Sequence, residues 1–563
     1  MRSEGSPWGL LVALLGSVAA AGLSDVPSPE NYLRKATASA TLIGNYVYID
    51  GGEIAQLVDG KVPSFRTTNQ VNSTLSIDMS KSWNASTVVQ RTIDRPWWSK
   101  VNQVIWTNHE AGTFYVWGGK WIWGDNMTKN ELWKFTPDGK GAGTWSIEPP
   151  ANADLFNGLH ESEFGAYANT NDTGFVIGGI ASGWTEYGRA STSVLPGMVT
   201  FNMQTNVWQN GTTAFSPFGT LAGARAHYIP TFGPNGLVMV LGGQSHSLVG
   251  DPDWSAATPY DLRNLTFFDP QTKKQYWQAT TGSIPPFPRT FFCLAGFQNT
   301  DGGYEILLAG GSNERDKFLY QDTYILSLPG FVWVKAADSP SGKRRDAACV
   351  SVGNRQVLSI GGTDGTWTDP DPAPQGLQLF DMTEMQWKYS YDANAAAYER
   401  PADLAVWYKN GSFDAVQWTS DEVRQLFTVK STNGSSGSGS DSSSSPSATT
   451  KSTPVGAIAG GVVGGVAGLA IIGAVAWLMI RRKRSQQQLN VTDGNGDFAG
   501  YHDGYYAAEP KPEPTGPEPK GSGAIELFSG RHHAELGDNT AYASNPLLGQ
   551  PMSPAEMDAT PAR

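Results

Sequence analysis

Aromatic side chains interleaved with carboxylates are the residues of this sequence best suited to surface chemistry. They lie in long polar segments that follow paired glycines, and the rings are Trp121, Trp123, Trp184, Tyr187, Trp254, Tyr260 and Trp367. Flat rings stack on the C–H faces of sugars, while carboxylates such as Glu186 and Asp251 accept hydrogen bonds from hydroxyl groups. Aromatic residues in long polar loops therefore predict a binding surface for a glycan or a protein partner. The alternative is that the rings fold back and cover the loops.

The same segments do not assemble a complete catalytic set. His109, His160, His227 and His246 are scattered along the chain, and we identify no metal-ligating group among them. Acidic loop residues are plentiful enough for a two-carboxylate hydrolase, but no pair stands out. We therefore expect a non-catalytic protein without a cofactor, and we keep a carbohydrate-active enzyme as the alternative.

Two cysteines lie at equivalent places in the chain. Cys293 and Cys349 each come four residues after an arginine, in Arg289-TFFC and Arg345-DAAC. Neighbouring strands could bring them within disulfide range in an oxidising compartment, or both could be buried free thiols. The sequence leaves these two alternatives open.

Composition limits the fold class. Gly 65 and Pro 35 together make 100 of the 563 residues, whereas charged residues are only 16%. So many helix breakers exclude a coiled coil or helical bundle, and we therefore expect a turn-rich, all-β fold. A net charge of −12 argues against a nucleic-acid partner, because phosphate contact needs clustered Lys and Arg.

Six paired glycines, each closing a short β-rich run, recur between about residues 32 and 390. They are Gly51-Gly52, Gly118-Gly119, Gly178-Gly179, Gly242-Gly243, Gly310-Gly311 and Gly361-Gly362, and the tryptophans that follow them by 23 to 35 residues are Trp83, Trp145, Trp208, Trp277, Trp333 and Trp387. A strand ending in glycines, then a loop, a strand, a turn and a Trp make one four-stranded antiparallel sheet. Because such a sheet cannot cover both of its faces, copies must stack around an axis.

This pattern resembles the kelch repeat, whose family fold is a β-propeller. The resemblance implies six blades over residues 23–430, with seven as the alternative, and the segment VQWTSDEVRQLF near the end is expected to pack as a final strand or short helix. Copper-radical oxidases also use kelch-type propellers, so such an oxidase stays beside the carbohydrate-active enzyme as the alternative, although the two histidines, two tyrosines and thioether-forming cysteine of that chemistry are not recognisable here. Strand parity places the loops after the paired glycines and the connections between blades on one face.

The ends of the chain predict a surface protein. Residues 1–22 have the pattern of a secretory signal peptide, and residues 455–480 form an uncharged stretch followed by Arg481-Arg482-Lys483-Arg484. At 1.5 Å per residue this stretch is about 39 Å long as a helix, enough to span a bilayer with tilt. A flexible Ser/Gly/Thr stalk (431–453) precedes it and a disordered cytosolic tail (481–563) follows. The layout is similar to that of single-pass, cell-wall-anchored-type kelch proteins of filamentous fungi.

Two further features of this layout concern modification and pairing. Eight Asn-x-Ser/Thr acceptors precede the predicted span, at Asn72, Asn84, Asn126, Asn171, Asn210, Asn264, Asn410 and Asn433, and they predict a glycosylated ectodomain. Glycines at four-residue spacing, from Gly456 to Gly468, would let two spanning helices approach closely and form a homodimer. The alternative is an anchor that does not pair.

Overall fold

The computed structural model describes residues 23–428, except 65, 99, 123–129, 216 and 287. The predicted signal peptide (1–22), stalk (431–453), spanning helix (455–480) and tail (481–563) therefore lie outside the described residues and stay predictions, as do Trp123, Asn126 and Asn433. Within the described ranges, no helix combines the length and the apolar character that a membrane crossing requires.

The prediction of a β-rich, antiparallel fold is confirmed. Successive strands pair into six sheets, I to VI, each built in chain order from four strands. Sheet I contains β1 (Ser39–Ile43), β2 (Tyr46–Asp50), β3 (Ser73–Asp78) and β4 (Arg91–Asp94), and sheet II contains β5 (Val104–Asn108), β6 (Thr113–Trp117), β7 (Trp133–Pro137) and β8 (Gly143–Ile147). Sheet III contains β9 (Ala166–Asn169), β10 (Thr173–Ile177), β11 (Met198–Asn202) and β12 (Val207–Gly211), and sheet IV contains β13 (Arg225–Ile229), β14 (Leu237–Leu241), β15 (Asn264–Phe268) and β16 (Gln275–Ala279). Sheet V contains β17 (Cys293–Gln298), β18 (Tyr304–Ala309), β19 (Thr323–Leu328) and β20 (Val332–Lys335), and sheet VI contains β21 (Ala348–Val352), β22 (Gln356–Ile360), β23 (Leu377–Asp381) and β24 (Gln386–Lys388).

Short accessory elements complete the described residues. Two-residue hairpins extend the loops of sheets III, IV and V, a strand Tyr32–Ala36 pairs with Glu53–Gln56, and Thr281–Gly282 adds a fifth strand to sheet V. Helices are few: α1 (Ala153–Asn157), α2 (Ala402–Lys409), α3 (Asp421–Thr428) and two single 3₁₀ turns.

The first strands of the six sheets contact one another in series. β1 contacts β5, and the series continues through β9, β13 and β17 to β21, which contacts β1 again. Apolar side chains fill the seams between sheets; in the seam between sheets VI and I, Val47 and Ile49 belong to the same buried cluster as Val350 and Leu358. The strand Ser390–Tyr391 also pairs with Trp83–Asn84, which joins the end of sheet VI to sheet I. This arrangement is consistent with a β-propeller.

A ring of left-handed residues lies at the entry to the first strands, and the sequence pattern did not reveal it. One residue just before each first strand has a positive φ between 54° and 70°, and the six are Thr37, Asn102, Phe164, Gly223, Phe291 and Asp346. Their backbones are linked by N–H to O=C bonds: Asn102 donates to Thr37, and Thr37 to Asp346, at 2.9 and 3.0 Å. Asp346 then donates to Phe291, Phe291 to Gly223 and Gly223 to Phe164, at 3.0, 2.9 and 2.9 Å. We call these six residues the axial ring.

Two of the six predicted repeat tryptophans occupy other places than expected. In sheets II, III, V and VI the residues Trp145, Trp208, Trp333 and Trp387 stand at the same ladder position of the outermost strand. In sheet IV that position is held by Gln275, and Trp277 lies two residues further along. In sheet I, Trp83 precedes the outermost strand β4 and packs on Tyr391, with ring centroids 5.5 Å apart.

The C-terminal segment forms helices that pack against sheets IV and V. Val423 and Phe427 of α3 are buried, and the Phe427 ring lies 4.9 Å from Phe232 and 4.7 Å from Phe331. Of the two predicted forms for this segment, strand or short helix, the structure has the helix. The apolar positions of α3 are four residues apart, which places both on the buried side.

A disulfide joins Cys293 of β17 to Cys349 of β21, with the two Cα atoms 5.6 Å apart. It therefore links the first strands of sheets V and VI, which neighbour each other in the series. The alternative prediction, two free thiols, is wrong.

Candidate functional site

The loops that follow the six glycine pairs open on one side of the sheets, which we call the glycine face. Two of the rings predicted to bind there are buried instead. Trp121 is 2% exposed and Trp254 is 6% exposed. The Lys100 ammonium lies 3.9 Å from the centre of the Trp121 ring and forms a bidentate ion pair with Glu161, at 2.9 Å to each oxygen. Trp121 therefore packs between loops.

Trp254 covers part of the axial ring. Its indole lies 5.9 Å from the Phe164 ring, 5.4 Å from Phe291 and 4.7 Å from His246. For Trp121 and Trp254, the geometry favours the packing alternative. Tyr260 is half-buried against Phe215, and burial raises the pKa of its hydroxyl to about 12. Trp367 is also half-buried.

Trp184 and Tyr187 differ from these rings, because their side chains are 42% and 81% exposed. Both stand in the loop after Gly178-Gly179, and the Trp184 carbonyl accepts a 3.0 Å bond from the Trp121 N–H, which ties two neighbouring loops together. The rings are therefore presented to solvent on an anchored loop. We call residues 184–189 the aromatic turn.

Charged groups lie within and beside the aromatic turn. Glu186 is 3.0 Å from Nδ1 of His160 and 3.1 Å from a guanidinium nitrogen of Arg189. Arg189 also donates to the Ser191 carbonyl at 2.9 Å, so the guanidinium is held on both sides. Exposed rings next to a carboxylate, a guanidinium and an imidazole can stack on an apolar surface while exchanging hydrogen bonds with polar groups at its rim.

A second group of charges surrounds the axial ring, and the sequence analysis did not predict it. The Lys120 ammonium is 2.9 Å from Glu163, and Arg345 is 2.9 Å from both Glu314 and Asp346. Burial alone would lower the pKa of Lys120, but the nearby carboxylates, Glu163 foremost, together outweigh it and the pKa is raised. Of these charges only Lys120 was marked in the sequence, as the residue directly after a glycine pair; Glu163, Glu314 and Arg345 share no such mark.

Two histidines, the half-buried His227 and the buried His246, remain neutral in this fold. His227 accepts or donates a 2.8 Å hydrogen bond with the Tyr304 hydroxyl, and His246 is 1% exposed beside Trp254. Burial lowers the pKa of each to about 4. Their place inside the protein agrees with packing roles, and the described residues contain no cluster of three or more His, Cys, Asp or Glu arranged to hold a metal ion.

From the lowered pKa values of these histidines we predict that the protein loses stability in acid. The folded pKa of about 4 lies below the ordinary value of 6.5, so the unfolded chain binds protons that the folded protein does not. The stabilisation is full above pH 6.5 and is lost as the pH falls towards 4. At pH 4.5, protonation linked to His227 alone should lower the free energy of unfolding by about 2–3 kcal/mol relative to pH 7.5. Urea unfolding at both pH values should show a smaller difference for His227→Gln, and an equal difference in variant and parent would contradict the assignment.

The predicted glycan acceptors can be compared with the surface. Each acceptor asparagine within the described residues is exposed, namely Asn72, Asn84, Asn171, Asn210, Asn264 and Asn410. Exposure is needed for a mature glycan, because the sugar must project into solvent. Modification itself stays a prediction.

Comparison with known proteins finds a similar fungal protein. In an alignment 414 residues long that covers 65% of this chain, the chain is 25% identical to a protein from Arthroderma benhamiae named "Kelch repeat-containing protein". It spans 58% of the length of that relative. No family model matches the chain. Together with the antiparallel sheets, this similarity supports a kelch-repeat relationship.

Proposed function

We propose that this protein is a non-catalytic recognition or anchoring protein of the cell surface, built on a six-bladed kelch propeller. Sheets I to VI are its six blades, and the glycine face binds an extracellular glycan, a cell-wall component or a protein partner. The proposal is supported by the serial contacts from β1 to β21 and back to β1, and by the axial ring.

The exposure of the aromatic turn is the single observation that carries this function. Trp184 and Tyr187 remain open to solvent on a face where Trp121 and Trp254 are buried. Exposing large rings costs solvation free energy, so such rings mark contact sites more often than scattered aliphatic residues do. Glu186 and Arg189 add the hydrogen-bonding groups that a hydroxyl-rich or polar partner requires.

The placement of the last described helix supports a surface protein tethered at its C-terminal side. The Gly233 N–H donates a 2.7 Å bond to the Leu426 carbonyl of α3. Gly233 lies between β13 and β14, at the opposite end of β14 from Gly242. α3 therefore meets the sheets at the end away from the glycine face, which supports a tether on that side. In this proposal the signal peptide exports the propeller, one helix spans the plasma membrane, the glycine-spaced span pairs two copies, and the tail is cytosolic.

Binding by full-length protein displayed on cells tests the function. We expect Trp184→Ala with Tyr187→Ala to weaken binding of the glycan or wall polymer that an array identifies by about tenfold or more, because both stacking surfaces are lost. Stability should change little, since Tyr187 is 81% exposed.

Phe318→Ala is the matched control for an exposed ring of the same face outside the aromatic turn, because that ring is 45% exposed and lies in the loop after Gly310-Gly311. It should bind as the parent does. Unchanged binding by the double variant would remove the aromatic turn from the site. Absence of binding to every glycan, wall polymer and cell-surface protein tested would overturn the proposed function itself.

A further inference from the structure

Trp277 is more exposed than the repeat tryptophans of the other sheets, of which Trp208 and Trp333 are buried and Trp83, Trp145 and Trp387 half-buried. Its side chain is 53% exposed, against 1% for Trp208 and 0% for Trp333. The cause is the two-residue displacement along β16, which moves the indole out of the seam between sheets. Within the described residues no ring or cation lies against it, whereas the Trp208 ring packs on Trp106 and Phe201.

The strand register places Trp277 beside a glycan acceptor. Thr266 of β15 is directly opposite Trp277 of β16, and Asn264 is directly opposite Ala279. Residues opposite each other in an antiparallel pair, and residues two apart along a strand, point to the same face of a sheet. Asn264, Thr266 and Trp277 therefore share one face. Asn264 and Thr266 are the first and third residues of the acceptor triplet Asn264-Leu265-Thr266.

Burial confirms which face this is. Asn264, Trp277 and Ala279 are exposed, whereas Leu265 and Gln278, which point the other way, are buried. Diagonal neighbours on such a ladder have Cα atoms about 7–8 Å apart. An asparagine side chain with one attached N-acetylglucosamine spans this distance, so the first sugar reaches the indole.

We propose that Asn264 carries an N-linked glycan whose first N-acetylglucosamine stacks on the indole of Trp277. The C–H face of the sugar covers the ring. Because the sugar is covalently attached to Asn264, stacking costs no translational entropy of association. Trp277 is thereby a binding surface for the protein's own glycan, separate from the aromatic turn. This inference requires export of the chain but does not depend on what the glycine face binds.

A mutant cycle on full-length protein from a glycosylating eukaryotic host tests the contact. Glycopeptide mass spectrometry should find Asn264 occupied in the parent and in Trp277→Ala. Asn264→Gln should raise the unfolding equilibrium constant about fivefold in the parent, from the loss of one stacking contact. The same change should have less than about a twofold effect in the Trp277→Ala background. Trp277→Tyr, which keeps a flat ring, should retain most of the coupling.

Asn210→Gln is the matched control. Asn210 is also an exposed acceptor on the outer part of a sheet, but the nearest tryptophan on its face, Trp208, is buried. Its effect on unfolding should be the same with and without Trp277. Trimming all glycans to a single N-acetylglucosamine should leave the parent as stable as before. The proposal would be overturned if Asn264 carried no glycan, or if Asn264→Gln had the same effect on unfolding with and without Trp277. It would also be overturned if the effect of Asn210→Gln depended on Trp277 as strongly as that of Asn264→Gln.

Discussion

Alanine at Gly178 is expected to destabilise the protein by about 4 kcal/mol or more, enough to abolish folding in most preparations. Gly178 has a φ of +66°, and a Cβ at this residue would clash with the Leu221 carbonyl oxygen. That oxygen accepts a 2.7 Å bond from the Gly179 N–H, so it is held in place. The added methyl group therefore meets backbone that cannot move without breaking the contact between sheets III and IV. Yield of folded protein and urea unfolding measure the effect.

Gly188→Ala is the control for backbone conformation alone. Gly188 has a similar φ of +79°, but nothing lies within 4 Å of the Cβ that would be added. Its cost should be about 1 kcal/mol, the penalty of the left-handed region for a non-glycine residue. Equal costs for the two variants would contradict the close approach of the sheets at Gly178.

Removal of the disulfide is expected to cost about 3–4 kcal/mol. Cys293 and Cys349 are 56 residues apart in sequence, and the cross-link restricts the unfolded chain over that loop. It also fastens two neighbouring first strands, so its loss frees the seam between sheets V and VI. Thermal and urea unfolding of Cys293→Ala with Cys349→Ala, compared with the parent, measure this loss.

The parent under reducing conditions is the matched comparison for the double variant. Both should unfold at nearly the same urea concentration, because each lacks only the covalent link. An unchanged midpoint for the double variant under oxidising conditions would contradict a contribution from the bridge.

The repeat units could be predicted from sequence because they rest on backbone geometry that only one residue type satisfies. All twelve glycines of the six pairs have positive φ, and added Cβ atoms would strike neighbouring backbone at several of them. The tryptophans were less reliable markers. Packing against a neighbouring sheet depends on the exact ladder position, so Trp277 followed its glycine pair at an acceptable distance but faces solvent.

The aromatic loop residues show where sequence reasoning stops. Trp121, Trp184 and Trp254 have the same residue type and similar polar surroundings in sequence, but only Trp184 is substantially exposed. Lys100 and Phe164, which cover the other two, lie in different connections of the chain. The axial ring could not be predicted from the sequence for another reason. Its members, from Thr37 to Asp346, share a backbone conformation and no side-chain type.

Closure of the six sheets into one ring is most directly tested by a cross-link between its first and last sheets. Asn84 and Ser390 are opposite each other in the short strand pair that joins them, 306 residues apart in sequence. With Asn84→Cys and Ser390→Cys, peptide mapping of the folded, oxidised protein should show one new disulfide between residues 84 and 390 in most molecules, beside the native Cys293–Cys349 bridge. The pair Asn84→Cys with Ser412→Cys should give none. Folded protein in which residues 84 and 390 remain free thiols would contradict a closed ring.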